Sequence, residues 1–288
     1  MNQQSSSASW SHHAKTYRMI AAPCTGFLGQ SLFLATAGQL PRKARILEIA
    51  CGNGELSSAA ALHFQDELDR LGSCGHLVAT DISTEMLAHT KQRLTSLTAQ
   101  SVFTCETQDG TSLTYETASF DAVYSAFGIF LFPDRNAGWR EAARVLRPGG
   151  IFATAVWRGP EYNELARQQM APLMEALPER IRNSIPKPSW ATITTEEGLI
   201  AEISEFGFEG IEVSVMNAPL TAPTPLSMWH MMLENPVSKP VFDELDPEEL
   251  DTVQTTVLEK FSALAGGNNR PLRFDTSCHL LVARRSRA

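Results

Sequence analysis

The chain has 288 residues, 43% hydrophobic, 19% charged and 8% aromatic, which excludes a disordered, collagen-like or coiled-coil chain and allows one or two domains with a full core. With 24 basic and 32 acidic side chains the net charge is −8, which argues against a nucleic-acid backbone as the main partner. Mean hydropathy is −0.14 and no run of about 18 uncharged apolar residues occurs, so no membrane span is expected.

In chain order, residues 1–15 are polar and rich in Ser and Gln, and read as a floppy arm without the layout of a signal peptide. Tyr17 to Leu40 reads as one or two helices, interrupted by Pro23 and Gly26 and closed by Pro41. Ile46 to Ala50 is a short apolar run before Cys51-Gly52-Asn53-Gly54, and Leu56 to Leu71 is helical up to Gly72. His76 to Thr80 is a second run ending at Asp81, and Ser83 is a helix N-cap ahead of Met86, Leu87, Leu94 and Leu97. Ser101 to Cys105 and Phe120 to Tyr124 are the third and fourth strands, with Asp109-Gly110 between them. Asn136 to Leu146 is helical, Arg147 to Gly150 a turn, and Ile151 to Trp157 the fifth strand. Beyond it come a helix at Glu161 to Leu177, a proline loop at Pro178, Pro186 and Pro188, a helix at Thr195 to Phe206 and a strand at Ile211 to Met216. Pro219, Pro223 and Pro225 lead into Met228 to Leu233; Asp246, Pro247 and Glu249 spell a capping box, Gly266-Gly267 ends that helix, and Leu272 to Val282 is the last strand.

This alternation predicts an α/β fold with a parallel sheet covered on both faces. Ligands in such sheets bind past the carboxyl ends of the strands. Gly52, Gly54, Asp81, Asp109 and Ser125 all fall there. The glycines let the backbone bend and approach a ligand, and the next helix offers free N–H groups to an anion. A dinucleotide fingerprint fails, because Ser57 or Glu55 stands where its third glycine would, and no P-loop Gly-Lys follows. A smaller anionic or zwitterionic group is favoured. Asp81 can accept both ribose hydroxyls or simply cap a helix; Asp109 can accept from an exocyclic amine or form a plain turn. Five cysteines without paired spacing suggest buried, reduced thiols in a cytoplasmic protein, with neither disulfides nor a metal site.

Glu48-x-Ala50-Cys51-Gly52-Asn53-Gly54, Asp81-Ile82-Ser83-x-x-Met86-Leu87, Asp109-Gly110, Phe120-Asp121 and Arg144 to Gly150 resemble, in order, the motifs of class I S-adenosylmethionine-dependent methyltransferases across about residues 45–157. The resemblance implies a Rossmann-like seven-stranded sheet, mostly parallel with the last strand antiparallel, and S-adenosyl-L-methionine as cofactor with S-adenosyl-L-homocysteine as product. It puts Ala50, Gly52 and Gly54 against the methionine part. Asp81 would bind the ribose, Ile82 and Met86 would pack on adenine, and Asp109 and Gly110 would read its edge. Ser125 and Ala126 would lie under the sulfonium, Glu48 would hold the glycine loop through backbone N–H groups, and Tyr17 would close the pocket. Ala126-Phe127-Gly128-x-x-x-Phe132-Pro133-Asp134 is similar to the quinone-type and secondary-metabolite branch, including fungal thiol methyltransferases.

The expected organisation is an N-terminal helical arm or lid at 1–40 and a methyltransferase domain at 41–288, with helical lid insertions at about 158–195 and 217–240. The expected acceptor is a small, aromatic or secondary-metabolite molecule methylated at S, O or N. A quinone-type C-methyltransferase and a cofactor-binding cyclase are the alternatives, and a scaffold subunit or a dehydrogenase is disfavoured. Phe127, Phe130, Trp157 and Trp229 are candidate aromatic walls. Among histidines, His230 has the best location for a base, His279 falls in the last strand, and His12 and His13 fall in the arm; no catalytic base is assigned.

Overall fold

Five apolar runs become adjacent parallel strands in the computed structural model, which describes residues 3–185 and 192–287. They are β1 (Arg45–Ile49), β2 (His76–Asp81), β3 (Phe103–Thr107), β4 (Phe120–Ala126) and β5 (Leu146–Trp157). With β6 (Phe208–Ala222) and β7 (Leu272–Arg285) they form one sheet of order β3-β2-β1-β4-β5-β7-β6. β7 alone is antiparallel to its neighbours β5 and β6, as the family resemblance implied. The order reverses between β1 and β4, where a doubly wound sheet opens its ligand crevice. β1, β2 and β4 are almost continuously buried, as strands covered on both faces must be.

The helices are α1 (Gln3–Ile20), α2 (Ala22–Ala37), α3 (Glu55–Leu71), α4 (Thr84–Leu97), α5 (Arg135–Val145), α6 (Glu164–Ala176), α7 (Glu179–Ser184), α8 (Glu196–Ser204), α9 (Pro225–Glu234), α10 (Lys239–Phe242) and α11 (Pro247–Ala265). Ser83 caps α4 by accepting from the Met86 N–H, and Asp246 with Glu249 closes the capping box of α11. α2 buries Leu28, Leu32 and Phe33 against α3 and the sheet. Arg135 of α5 pairs with Glu202 of α8 at 2.7 Å, and Trp139 donates to the same carboxylate at 2.8 Å.

Several segments depart from the sequence expectation. The presumed arm is α1, ordered by distant partners: Ser7 donates to the Ile82 carbonyl at 2.8 Å, and Ser11 and Ser83 share a hydroxyl contact of 2.8 Å. β3 starts at Phe103 because Gln100–Val102 form a 3-10 turn. Arg147 to Gly150 belongs to β5 as an irregularity in register between Phe120 and Ala122. β6 runs through Pro219, which an edge strand tolerates because that face of the backbone needs no partner. Residues 217–222 are thus strand, and helix resumes at Pro225. Part of the predicted proline loop is α7, while Pro186 and Pro188 lie outside the described residues. Cys24, Cys51 and Cys278 are buried free thiols, whereas Cys74 and Cys105 are only half-buried. Among the described residues no single helix is long and apolar enough to cross a membrane; α1 and α2 reach that length only together, bent by 85°.

Candidate functional site

The turn after β1 is built from left-handed backbone. Ala50 has φ 57°, Gly52 φ 56° and Gly54 φ 80°. At Gly54 a Cβ would come within 2.8 Å of Thr90 Cγ2, so glycine is demanded twice over. At Gly52 a Cβ would meet nothing within 4 Å, which leaves open room against the backbone. Ala50 holds a conformation that costs a non-glycine residue about 1–2 kcal/mol. Phe127, just past β4, does the same at φ 58°. Their turns meet at the rim, where a Cβ on Gly128 would lie 2.6 Å from that of Ala50. Strain of this kind collects at working sites.

Asp81, buried at the end of β2, ties this turn to the next. Its Oδ2 accepts from the Gly52 N–H at 2.8 Å and its Oδ1 from the Ser83 N–H at 2.8 Å. Burial pushes its carboxyl up, against the pull of the Ser83 and Gly52 N–H groups. Thr90 secures the other side of the turn by donating to the Gly52 carbonyl at 2.8 Å. Glu48 does not hold the glycine loop. Its carboxyl accepts from the hydroxyl and N–H of Ser57 in the first turn of α3, and burial pushes it up to about 8. Gly52's N–H is already taken by Asp81.

Tyr17 bonds Thr25 through its hydroxyl at 2.9 Å. Burial, then the nearby Glu55 and Asp81 carboxylates, push its phenol well above the usual tyrosine range. Tyr17 of α1 is thus tied to α2 through Thr25. Glu55, at the start of α3, is pushed up to about 7 by burial, opposed by Arg93 at 3.3 Å, and packs on Gly26 of α2. Beside the turn, an open hollow of about 270 Å³ is lined by Arg18, Asn53, His89, Gln92, Arg93 and Ser96.

The remaining expected residues are positioned as follows. Ile82 is half-buried, with its carbonyl held by Ser7, and Met86 is buried. Asp109 turns its Oδ1 onto the N–H and hydroxyl of Thr111, at 2.8 and 2.7 Å, a local turn beside β3. Gly110 is tight against Phe132 and Ile49, which brings its backbone to the end of β1. Ser125 is fully buried; its Oγ accepts from the Ile129 N–H at 3.1 Å, so its side chain shapes the loop after β4. Ala126 abuts Gly29 of α2. Phe127 and Trp157 face each other with centroids 4.2 Å apart at the ends of β4 and β5. Phe130 is buried, and Trp229 is core, packed on Phe242.

The histidines rearrange the sequence reading. His230 is exposed, and His279 is buried with Nε2 3.1 Å from the Thr194 carbonyl. His13, expected in a mobile arm, is fully buried on α1. The sequence names His13 as a candidate but not its burial, and gives no sign that Asn53 is buried as well.

Residues 47–154 match a family described as a methyltransferase domain. The methyltransferase tpcH of Aspergillus fumigatus is 27% identical over 188 residues, 62% of this chain and 62% of that one. A ubiquinone/menaquinone biosynthesis C-methyltransferase, UbiE of Nitrosospira multiformis, is 30% identical over 176 residues, 58% of this chain and 68% of that one. The chain thus spans under two thirds of the first of these relatives. In fold, the YcgJ protein of Bacillus subtilis superposes with a TM-score of 0.58 at 16% identity, covering 91% of this chain and 100% of that one. The chain belongs to the class I S-adenosylmethionine-dependent methyltransferases.

Proposed function

We propose that this chain transfers a methyl group from S-adenosyl-L-methionine to a sulfur, oxygen or nitrogen atom of a small, aromatic or secondary-metabolite acceptor. The residues present fit the family's cofactor. The backbone at Gly52 has open space where a Cβ would stand, and a buried carboxylate lies one hydrogen bond away. That juxtaposition at the switch point of the sheet carries the reading. Bound, the cofactor supplies a methyl group already activated by a sulfonium charge.

The protein's own part is alignment and exclusion of water. In this reading Ala50, Gly52 and Gly54 receive the amino-acid end, Asp81 accepts from the ribose hydroxyls, Ile82 and Met86 pack on the base, and Asp109 and Gly110 lie at its edge. Ser125 and Ala126 shape the floor under the reacting centre, and Tyr17 closes over it. Positioning alone can supply about 7–11 kcal/mol of a displacement barrier. Phe127 and Trp157 offer ring faces to a cation, worth about 0.5–2 kcal/mol each. The loop after β4, Ala126 to Asp134, supports a secondary-metabolite acceptor through its resemblance to that branch. The UbiE relative supports a second reading, transfer to a ring carbon of a quinol-type acceptor.

Calorimetric titration with S-adenosyl-L-homocysteine should give one site per chain. Incubation with methyl-labelled donor and a set of thiophenols, phenols, anilines and a naphthohydroquinone should then label product, and the position of the label separates heteroatom from carbon transfer. Absence of cofactor binding, or binding with no labelled product, would overturn the reading.

A further inference from the structure

The hollow beside the glycine turn is lined by no acidic side chain. Arg18 of α1, Asn53 of the turn, and His89, Gln92, Arg93 and Ser96 of α4 enclose about 270 Å³. On a chain of net charge −8 such a patch is a local exception. Arg18 lies in the last turn of α1, exposed, with no ion pair or hydrogen bond among the described residues. Its helix aims it. Ser7, Ser11 and Arg18 share one face of α1, because positions 7 and 18 are about three turns apart. The two serines bond Ile82 and Ser83 at the start of α4, so the same face carries Arg18 along α4 to the hollow. Arg93 is paired with Glu55 at 3.3 Å, but burial pushes that carboxyl up to about 7, so near neutral pH it cancels only part of the charge. Asn53 is the one buried residue of the six and therefore forms the floor. Its Oδ1 lies 3.0 Å from His89 Nδ1, while its Nδ2 has no partner. A buried amide N–H without an acceptor is rare enough to need a reason.

We propose that the hollow is a binding site for a phosphate group, distinct from the cofactor site, and that the phosphate supplies the acceptor Asn53 lacks. Donors converge from three sides: Arg18 from α1, Arg93 from α4 and Asn53 from the turn. That arrangement suits tetrahedral phosphate oxygens better than a flat carboxylate, and arginine forks bond such oxygens in pairs. The hollow opens to solvent, so the rest of a phosphomonoester can stay outside. Asn53 stands between Gly52 and Gly54, whose left-handed backbone shapes the cofactor turn. A phosphate on Asn53 and the two arginines holds that turn between α1 and α4. Phosphate and cofactor should therefore each bind more tightly when the other is present, by the same factor. The site stands whatever the methyl acceptor is.

The test titrates the full-length protein with inorganic phosphate by calorimetry, at constant ionic strength made up with sodium chloride. One saturable site with Kd below about 1 mM is expected. Arg18→Gln should weaken it at least about tenfold, since a charged pair of donors is lost. Its melting point should stay within about 2 °C of wild type, because the native side chain is exposed and bonds nothing. Lys15→Gln removes an exposed charge of α1 outside the hollow and should leave phosphate affinity within about twofold. Phenyl phosphate separates the sources: tighter binding than inorganic phosphate marks a group carried by a metabolite, weaker binding the free ion. Protein saturated with S-adenosyl-L-homocysteine should bind phosphate more tightly than the free protein. Weaker binding there would overturn the inference, because the hollow would then take the cofactor's own carboxylate. So would the absence of a saturable phosphate site, or equal weakening by Arg18→Gln and Lys15→Gln, the mark of diffuse attraction to α1. A wild type that binds phosphate but no S-adenosyl-L-homocysteine would strike the transferase reading and leave this site standing.

Discussion

Glu48 offers a measurement that needs no substrate. Its carboxyl is buried beneath the glycine turn, and burial pushes it from 4.5 up to about 8. The folded protein therefore keeps a proton that the unfolded chain gives up near pH 4.5. Stability from this group is fully present below that pH and is lost as pH rises towards about 8, where the folded form must ionise too. The slope is about 1.4 kcal/mol per pH unit for one proton. Between about pH 5.5 and about pH 7.5, Glu48 alone should thus remove about 3 kcal/mol from the wild type. Glu48→Gln keeps the shape and the acceptor for Ser57 and carries no titrating proton. Urea unfolding of both proteins at several pH values isolates the difference, because Glu55 and Asp81 remain in each. The variant's advantage over wild type should widen by about 3 kcal/mol between about pH 5.5 and about pH 7.5, with unchanged m-values. Parallel stability curves would mean that Glu48 is ionised in the fold, and the picture of a neutral, desolvated carboxyl under the site would be wrong.

Three further changes probe the rim. Asp81→Asn can satisfy only one of the Gly52 and Ser83 N–H groups while turning its own NH₂ towards the other, so affinity for S-adenosyl-L-homocysteine should fall about 10- to 100-fold by calorimetry, a loss of about 1–3 kcal/mol. Unchanged affinity in a folded variant would refute its role at the ligand. Gly54→Ala sets a methyl 2.8 Å from Thr90 in a left-handed turn and should lower unfolding free energy by more than about 2 kcal/mol. Ala50→Gly releases a left-handed alanine and should raise thermal stability by about 1 kcal/mol; a loss would show that its methyl packing outweighs the strain.

What could be read from the chain was chemistry that acts over a few residues. Asp246-Pro247-Glu248-Glu249 is a complete N-terminus in four residues, and it caps α11 with both reciprocal hydrogen bonds. Gly72 and Gly266 end α3 and α11 in left-handed geometry for the same local reason. The N-terminal segment failed this way of reading because its order is not local. Its buried positions, such as His13, Ala14 and Ile20, form a thin stripe among serines and glutamines, and its anchors, Ile82 and Ser83, lie 75 and 72 residues away. β6 failed for a related reason: Pro219 looks like a terminator until β6 is known to be the edge of the sheet.

The site divides along the same line, and Asp81 makes the point. From sequence it had two competing readings, a helix-capping carboxylate or a ligand-binding one. On the proposed reading the first is a condition of the second. An ionised carboxylate has about four acceptor positions; the Gly52 and Ser83 N–H groups use one on each oxygen, and the Ile82 N–H also bonds the group. These bonds fix the plane of the group and hold the glycine turn in register with the start of α4. The acceptor positions left over are thereby aimed without needing a ligand to aim them, and no rotamer freedom is lost when one binds. A sequence motif names the carboxylate and the glycine; only their hydrogen bond explains why the turn after β1 and the cap of α4 have to be built together.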